Sequence, residues 1–163
     1  MAEQWIQSNL NKYLIVRTTN VYGWDPQTKT PNFIMGLYQS VRQKKIFKAP
    51  SYLYGNPTYV YDLAEALIEL HSKHAQGMFH IVGNSFVNRY EWAIKACEIF
   101  QFNCSFVEKI DSPPSKFIAR PLKAELKSEK FRNNFNTKIQ NLVSGLEKMK
   151  LDMKGLAVHN QMD

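Results

Sequence analysis

The sequence predicts an α/β fold, a few-stranded and partly parallel sheet with helices packed on it. Three observations carry that expectation. Short apolar runs of strand length, rich in β-branched and aromatic residues, occur at YLIV (13–16), IFKA (46–49) and MFHIV (78–82). Between them lie longer stretches whose apolar residues recur at helical spacing. Strand and helix therefore alternate, an order that makes neighbouring strands parallel and the helices their crossovers.

Residues 1–9 read as the last turns of a helix, with Trp5, Ile6 and Leu10 on one side and Gln4, Gln7 and Ser8 polar. The strand at 13–18 leaves through RTTNVYGWDP (17–26), where Asn, Gly and Asp-Pro mark a loop. Asn20 and Gly23 suit a turn, and a polar residue at the C-terminal end of a strand is also where α/β proteins place ligand contacts. Pro31 is expected to open the next helix at its first position, with Phe33, Ile34, Leu37, Tyr38 and Val41 facing inward before the basic stop RQKK. After IFKA, the loop APSYLYGNPTYV leads to a helix over 61–72, with Asp62 near the positive end of its dipole. A strand at 77–83, a helix over 90–100 capped by Asn88 and an edge strand CSFVEKI (104–110) follow. The segment DSPPSKFIARPLKAELKS, with its three prolines, is expected to be a long loop. A short helix at 128–135 and a longer one at 137–149 complete a unit spanning 1–150, and 151–163 reads as a C-terminal tail.

A chain of 163 residues with 44% hydrophobic and 13% aromatic side chains has enough apolar surface for one packed core. No apolar run reaches bilayer length, and MAEQWIQSNL lacks the basic and apolar regions of a signal peptide, so the expected location is cytoplasmic. Cys97 and Cys104 form neither a disulfide framework nor a metal-ligand spacing. The net charge is +7, and residues 116–154 hold ten Lys or Arg against four acids. A basic third can face phosphates, but charges spread in this way more often line a solvated helix face. No zinc-finger or RNP-like motif supports nucleic-acid binding. The four histidines (71, 74, 80 and 159) have no acid or Cys at ligand spacing, so no metal site is expected. G-x-G-x-x-G, P-loop and G-x-S-x-G motifs do not occur, and no catalytic centre can be assembled from the residues themselves.

Taken in order, RTTNVYG, PNFIMGLYQ, GNPTYVYDLAEAL, GMFHIVG and ARPLKAELKSEKF resemble the C-terminal half of the extended short-chain dehydrogenase/reductase family. Within it the dTDP-4-dehydrorhamnose reductase branch is most similar, with R-T-x-x-V-Y-G ending a sheet strand, N-F opening the next helix and R-P-x-x-S-x-L-x-x-x-K near the end. The resemblance covers roughly residues 2–149. It implies a Rossmann-like NDP-sugar reductase or epimerase/dehydratase from which the N-terminal cofactor-binding half is absent. In that family the helix before R-T-x-x-V-Y-G carries the catalytic Tyr-x-x-x-Lys, and Ala2-Glu3 aligns with the residues just after that lysine. No catalytic residue and no cofactor is therefore expected in this chain alone, whereas the full-length family uses NAD(P). Hydride transfer needs a bound nicotinamide and an acid for the carbonyl oxygen.

What the resemblance leaves is the substrate-binding region. Asn20 falls where the family places a residue near the sugar or its diphosphate; rhamnose-type reductases often have Trp there, and epimerases and dehydratases the N-V-Y-G found here. Asn32 and Phe33 match the N-F that approaches the diphosphate. Thr58 and Tyr59 lie in the loop near the nucleotide, and Arg120 matches the R-P arginine, whose forked guanidinium suits a phosphate. Ala124 or Glu125 stands near the usual Ser. Each residue also has a structural reading: Asn20 in a turn, Phe33 in the core, Thr58 at a helix entry, Arg120 as a surface charge. The expected ligand is a nucleotide-diphosphate sugar, weakly bound. The expected partner is a second copy, docked through the open edge of 13–18 and the helix at 1–10, or the missing half. Nucleic acid and membrane are not expected partners. The alternative is a non-enzymatic regulatory or interaction module, since the same branch includes the regulatory subunit of methionine adenosyltransferase.

Overall fold

The computed structural model describes residues 2–114 and 121–159. In chain order its elements are α1 (Ala2–Asn9), β1 (Leu14–Arg17), β2 (Val21–Tyr22), α2 (Phe33–Arg42), β3 (Phe47–Pro50), β4 (Tyr54–Gly55), β5 (Thr58–Tyr59) and α3 (Val60–Ser72). They continue with β6 (Gly77–His80), β7 (Val87–Asn88), α4 (Arg89–Phe100), a 3-10 turn (Cys104–Phe106), β8 (Val107–Ile110), α5 (Glu129–Arg132) and α6 (Leu142–His159). The α/β class holds, and the parallel pairing is divided among short ladders. Strand β1 pairs with β6 in register from Leu14↔Gly77 to Arg17↔His80, β2 with β5, and β3 with β8, all parallel; β4 and β7 pair antiparallel.

Two clusters bury the apolar faces. One joins Leu37 of α2, Trp92 and Ala96 of α4, and Leu146 and Met149 of α6 around Tyr22 and Ala49. The other places Ala66 and Leu70 of α3 against Phe79 of β6, Phe131 of α5 and Ile139. Among the described residues no helix is long and apolar enough to cross a membrane.

Four local expectations change. Pro31 does not open α2, because Asn32 is its N-cap: the Asn32 Oδ1 accepts from the Ile34 and Met35 N–H groups at 3.1 and 3.2 Å. That cap leaves Pro31 one residue outside the helix. The segment 104–110 begins as a 3-10 turn, with Asn103 Oδ1 accepting from the Ser105 N–H at 3.0 Å, and becomes a strand only at Val107. The long last helix starts at 142 rather than 137, because 136 and 137 are held elsewhere and Asn141 Oδ1 caps the Ser144 N–H at 2.9 Å. Residues 151–159, expected within the tail, continue α6 to His159; Met153 packs on the first cluster one turn beyond Met149. Asn88 caps α4 as expected and completes a capping box with Glu91.

Buried polar groups fasten the irregular segments. Asp62, 1% exposed, accepts from the Gln140 N–H at 2.7 Å and pairs with Lys148 Nζ at 3.4 Å, so it holds α6 and its approach onto α3 as well as facing the helix dipole. Ser128 Oγ accepts from the Val82 N–H at 3.0 Å and donates to the Val82 carbonyl at 3.2 Å. Glu69 accepts from the Asn136 N–H at 3.0 Å, the Thr137 N–H at 2.8 Å and the Thr137 hydroxyl at 2.7 Å, with Lys73 Nζ at 3.1 Å.

Those donors, the Asn136 N–H first and Thr137 next, hold the Glu69 carboxyl at about 2 against an ordinary 4.5. A depressed carboxyl stabilises the fold above its unfolded value, and that contribution is lost as protons bind down to the folded value. Hydrogen-exchange protection at Asn136 and Thr137 is therefore expected to fall as pH drops from 4.5 towards 2, and Glu69→Gln should remove that pH dependence; protection unchanged across the window would contradict the assignment. A Cβ at Gly83 would lie 1.8 Å from the Pro57 carbonyl oxygen, a backbone atom that cannot step aside. Gly83→Ala is expected to cost about 3 kcal/mol or more in urea unfolding, and a loss under about 1 kcal/mol would show that the two segments separate easily.

Candidate functional site

Strand β1 runs out into Thr19 and Asn20, and Asn20 turns the chain with a left-handed backbone (φ 51), a conformation Asn tolerates better than most residues. Its carbonyl accepts from the Thr58 N–H at 3.2 Å, so the turn is tied to β5. The Asn20 amide faces a cleft of about 200 Å³ walled by Thr19, Tyr54, Gly55, Arg89 and Ala124. A Cβ on Gly55 would lie 2.3 Å from Asn20 Nδ2, so a larger residue there would push the Asn20 amide out of its place beside Arg89.

Across the cleft stands Arg89, the first residue of α4. Its Nη2 donates to Asn20 Oδ1 at 2.6 Å. The guanidinium carbon lies 4.8 Å from the Phe33 ring centre and 4.9 Å from that of Trp92, and those two rings stack with centroids 4.7 Å apart. Half-buried, the cation rests on an aromatic floor and is turned by an amide. Lys123 Nζ sits 5.2 Å from the Tyr54 ring centre at the rim.

The residues expected to bind substrate are thus distributed. Asn20 lines the cleft, and Phe33 lies beneath Arg89. Asn32 caps α2 while its Nδ2 donates to the Gly23 carbonyl at 2.7 Å, and it lines a separate cavity of about 370 Å³ with Tyr22, Trp24, Val60 and Tyr61. Thr58 is 0% exposed, its hydroxyl donating to the Asn56 carbonyl at 3.3 Å and accepting from the Gly83 N–H at 3.1 Å. Tyr59 is also buried, and its hydroxyl donates to Asp152. Arg120 lies outside the described residues. Arg89 was not among the expected residues; the signal for it is an arginine in the first turn of a helix, where the dipole disfavours a cation.

Two buried phenols, Tyr22 at the edge of the second cavity and Tyr59 behind it, are held protonated. Burial and then the Asp62 charge push the Tyr22 hydroxyl up, and burial followed by the hydrogen bond to Asp152 raises that of Tyr59. No group of three metal-ligating side chains occurs among the described residues. Nor do these residues form a dinucleotide cradle, which needs an open helix N-terminus after a glycine-rich turn. The first turns of α2 and α4 are capped by Asn32 and Asn88, that of α6 by Asn141 with Ser85 Oγ on the Leu142 N–H, and that of α3 carries buried Asp62.

Comparison with known proteins gives this parallel-stranded α/β unit, with its small polar cleft at a strand end, a family. The chain is a member of the RmlD substrate binding domain family, whose model matches residues 1–154. It is 32% identical to the spore coat polysaccharide biosynthesis protein SpsK of Bacillus subtilis over 98 residues, which cover 60% of this chain and 33% of that protein. Its fold is similar to dTDP-4-dehydrorhamnose reductase of Bacillus anthracis, solved in complex with NADP, with a TM-score of 0.76 and 24% identity over 92% of this chain and 51% of that one. The dTDP-glucose 4,6-dehydratase of the same organism, solved with NAD, shares the fold at a TM-score of 0.70 and 15% identity over 91% of this chain and 46% of that one. The chain spans a third of the curated relative and about half of these solved structures.

Proposed function

We propose that this chain is the nucleotide-sugar-binding half of an NAD(P)-dependent reductase of the dTDP-4-dehydrorhamnose type, or of a related epimerase or dehydratase, and that it transfers no hydride by itself. The observation that carries the reading is the family match over residues 1–154 joined to a strand-end cleft in which Asn20 is fixed. Asn20 lines the cleft that would take the ligand, and Arg120 is carried as a phosphate contact on the R-P resemblance alone. Phe33 supports the cleft floor beneath Arg89, and Thr58 ties the Asn56 segment beside the cleft to Gly83, while Asn32 and Tyr59 fasten α2 and α6 away from it. The sequence contains neither G-x-G-x-x-G nor Tyr-x-x-x-Lys, and the N-termini of α2 and α4 are taken by their own caps, which supports a reading in which the reducing half is supplied by another part of the enzyme. Both cysteines are free, which suits a reducing compartment, and we place the protein in the cytoplasm.

The half that brings the cofactor has a natural seat. Among the described residues β1 pairs only with β6, and its other edge presents unpaired backbone donors and acceptors. Beside it Trp5 and Leu10 are 62% and 46% exposed. In isolation the same edge pairs with a second copy.

With the purified chain, dTDP is expected to bind at about millimolar strength, since half of the ligand's walls are missing. Amide shifts should centre on Asn20 and Gly55, with no NAD(P)H oxidation in the presence of a 4-keto nucleotide sugar. Shifts confined to 148–154, or turnover above a buffer control, would refute the reading. Sedimentation equilibrium at micromolar concentration should give the mass of a dimer, and Ile15→Lys should return it to a monomer; a monomeric wild type, or a dimer indifferent to that charge, rules out assembly through β1.

A further inference from the structure

We propose that Arg89 is the phosphate-gripping residue of the Asn20 cleft, holding the diphosphate of a nucleotide sugar from the first turn of α4; the assignment deepens the reading above and rests on it. The chemistry of the walls selects the ligand. Thr19, Asn20, Tyr54, Gly55 and Ala124 bring no carboxylate to the cleft, and Lys123 adds a second positive charge at its rim. The nearest acid in the first turn of α4, Glu91, accepts from the Asn88 N–H at 3.1 Å and is committed to the capping box. An oxyanion suits such a site. Its volume of about 200 Å³ is below the roughly 300–1,000 Å³ of pockets that enclose a whole small ligand, so it suits the diphosphate, with base and sugar extending beyond.

The preparation of the cation distinguishes Arg89 from an ordinary surface arginine. Trp92 beneath it is 1% exposed, so the guanidinium stands on a dry floor, where water does little to weaken its attraction for a charge. Stacking on Phe33 and Trp92 sets the plane of the fork, and the 2.6 Å bond to Asn20 sets its rotation. A fork oriented in this way can meet two phosphate oxygens side by side, which a lysine cannot do.

The test uses the full chain, with pyrophosphate, dTDP and thymidine as probes, and reads the Trp92 indole N–H and the Asn20 and Gly55 amides by NMR. Pyrophosphate and dTDP are expected to shift all three signals, and thymidine to shift none. Arg89→Met, which keeps an apolar stem over the two rings, should weaken pyrophosphate by about tenfold or more. Arg89→Lys, which keeps the charge without the fork, should weaken it severalfold and decides the matter if the Met variant does not fold. Affinity for pyrophosphate within about twofold of wild type in the folded variants would overturn the assignment, as a bidentate charged contact cannot be lost at so small a cost. If dTDP shifts Asn20 and Gly55 equally in wild type and variants, the nucleotide-sugar reading stands and Arg89 falls. If pyrophosphate binding depends on Arg89 but dTDP binds no more tightly, the anion site stands and the nucleotide-sugar reading falls. If neither probe binds the wild type, both fall.

Discussion

The buried side chain of Asn56 is the constraint on which the cleft depends. Its Nδ2 donates to the carbonyls of Gly83 and Ser85 at 3.2 and 3.3 Å, and its Oδ1 accepts from the Leu126 N–H at 3.0 Å. Its own carbonyl accepts from the hydroxyls of Thr19 and Thr58 at 3.0 and 3.3 Å. One residue thus joins the exit of β1, the exit of β6, the entry to α3 and the chain arriving at 126. At 4% exposure no water can take over these bonds cheaply, and an unpaired buried polar group costs about 1–3 kcal/mol. The Asn20 turn keeps its place because Thr19 before it and Thr58, whose N–H it accepts from, are both fastened to Asn56.

The same device recurs wherever the backbone leaves regular structure. Asp62 fastens Gln140, Glu69 fastens 136 and 137, and Ser128 fastens Val82. Each is a polar side chain of a helix or its cap satisfying backbone groups of a distant segment. Short ladders can therefore coexist with long irregular connections without leaving N–H groups stranded. Rigid loops follow, and they allow a cleft as small as this one to keep its shape without a ligand.

The helices were legible because apolar spacing and capping residues are local signals: Asn88 with Glu91 three residues on, or the stripe through Ala66 and Leu70. The parallel order of β1 and β6 was legible from alternation. The two-residue strands β2, β4, β5 and β7 were not, since so short a run has no period. The site was only partly readable for a related reason. Asn32 and Thr58 are polar residues at element ends, and the sequence alone does not show whether such a residue faces a ligand or a backbone group far along the chain. Asn32 meets Gly23, and Thr58 meets Gly83. Arg89 stayed hidden because its partners Asn20, Phe33 and Trp92 come together only in three dimensions.

The ladders also bear on how the molecule forms. The pair closed between Leu14 and Gly77 overlaps in sequence with that between Phe47 and Val107, and both enclose part of the other's loop. Neither can be completed without first restraining chain that belongs to the other, and the entropy of those long closures is spent before any contact repays it. Helices can flicker early, but the strand pairs must assemble together. The chain should therefore refold slowly for its size and in a single concerted step, with no ladder able to peel away as a separate unit.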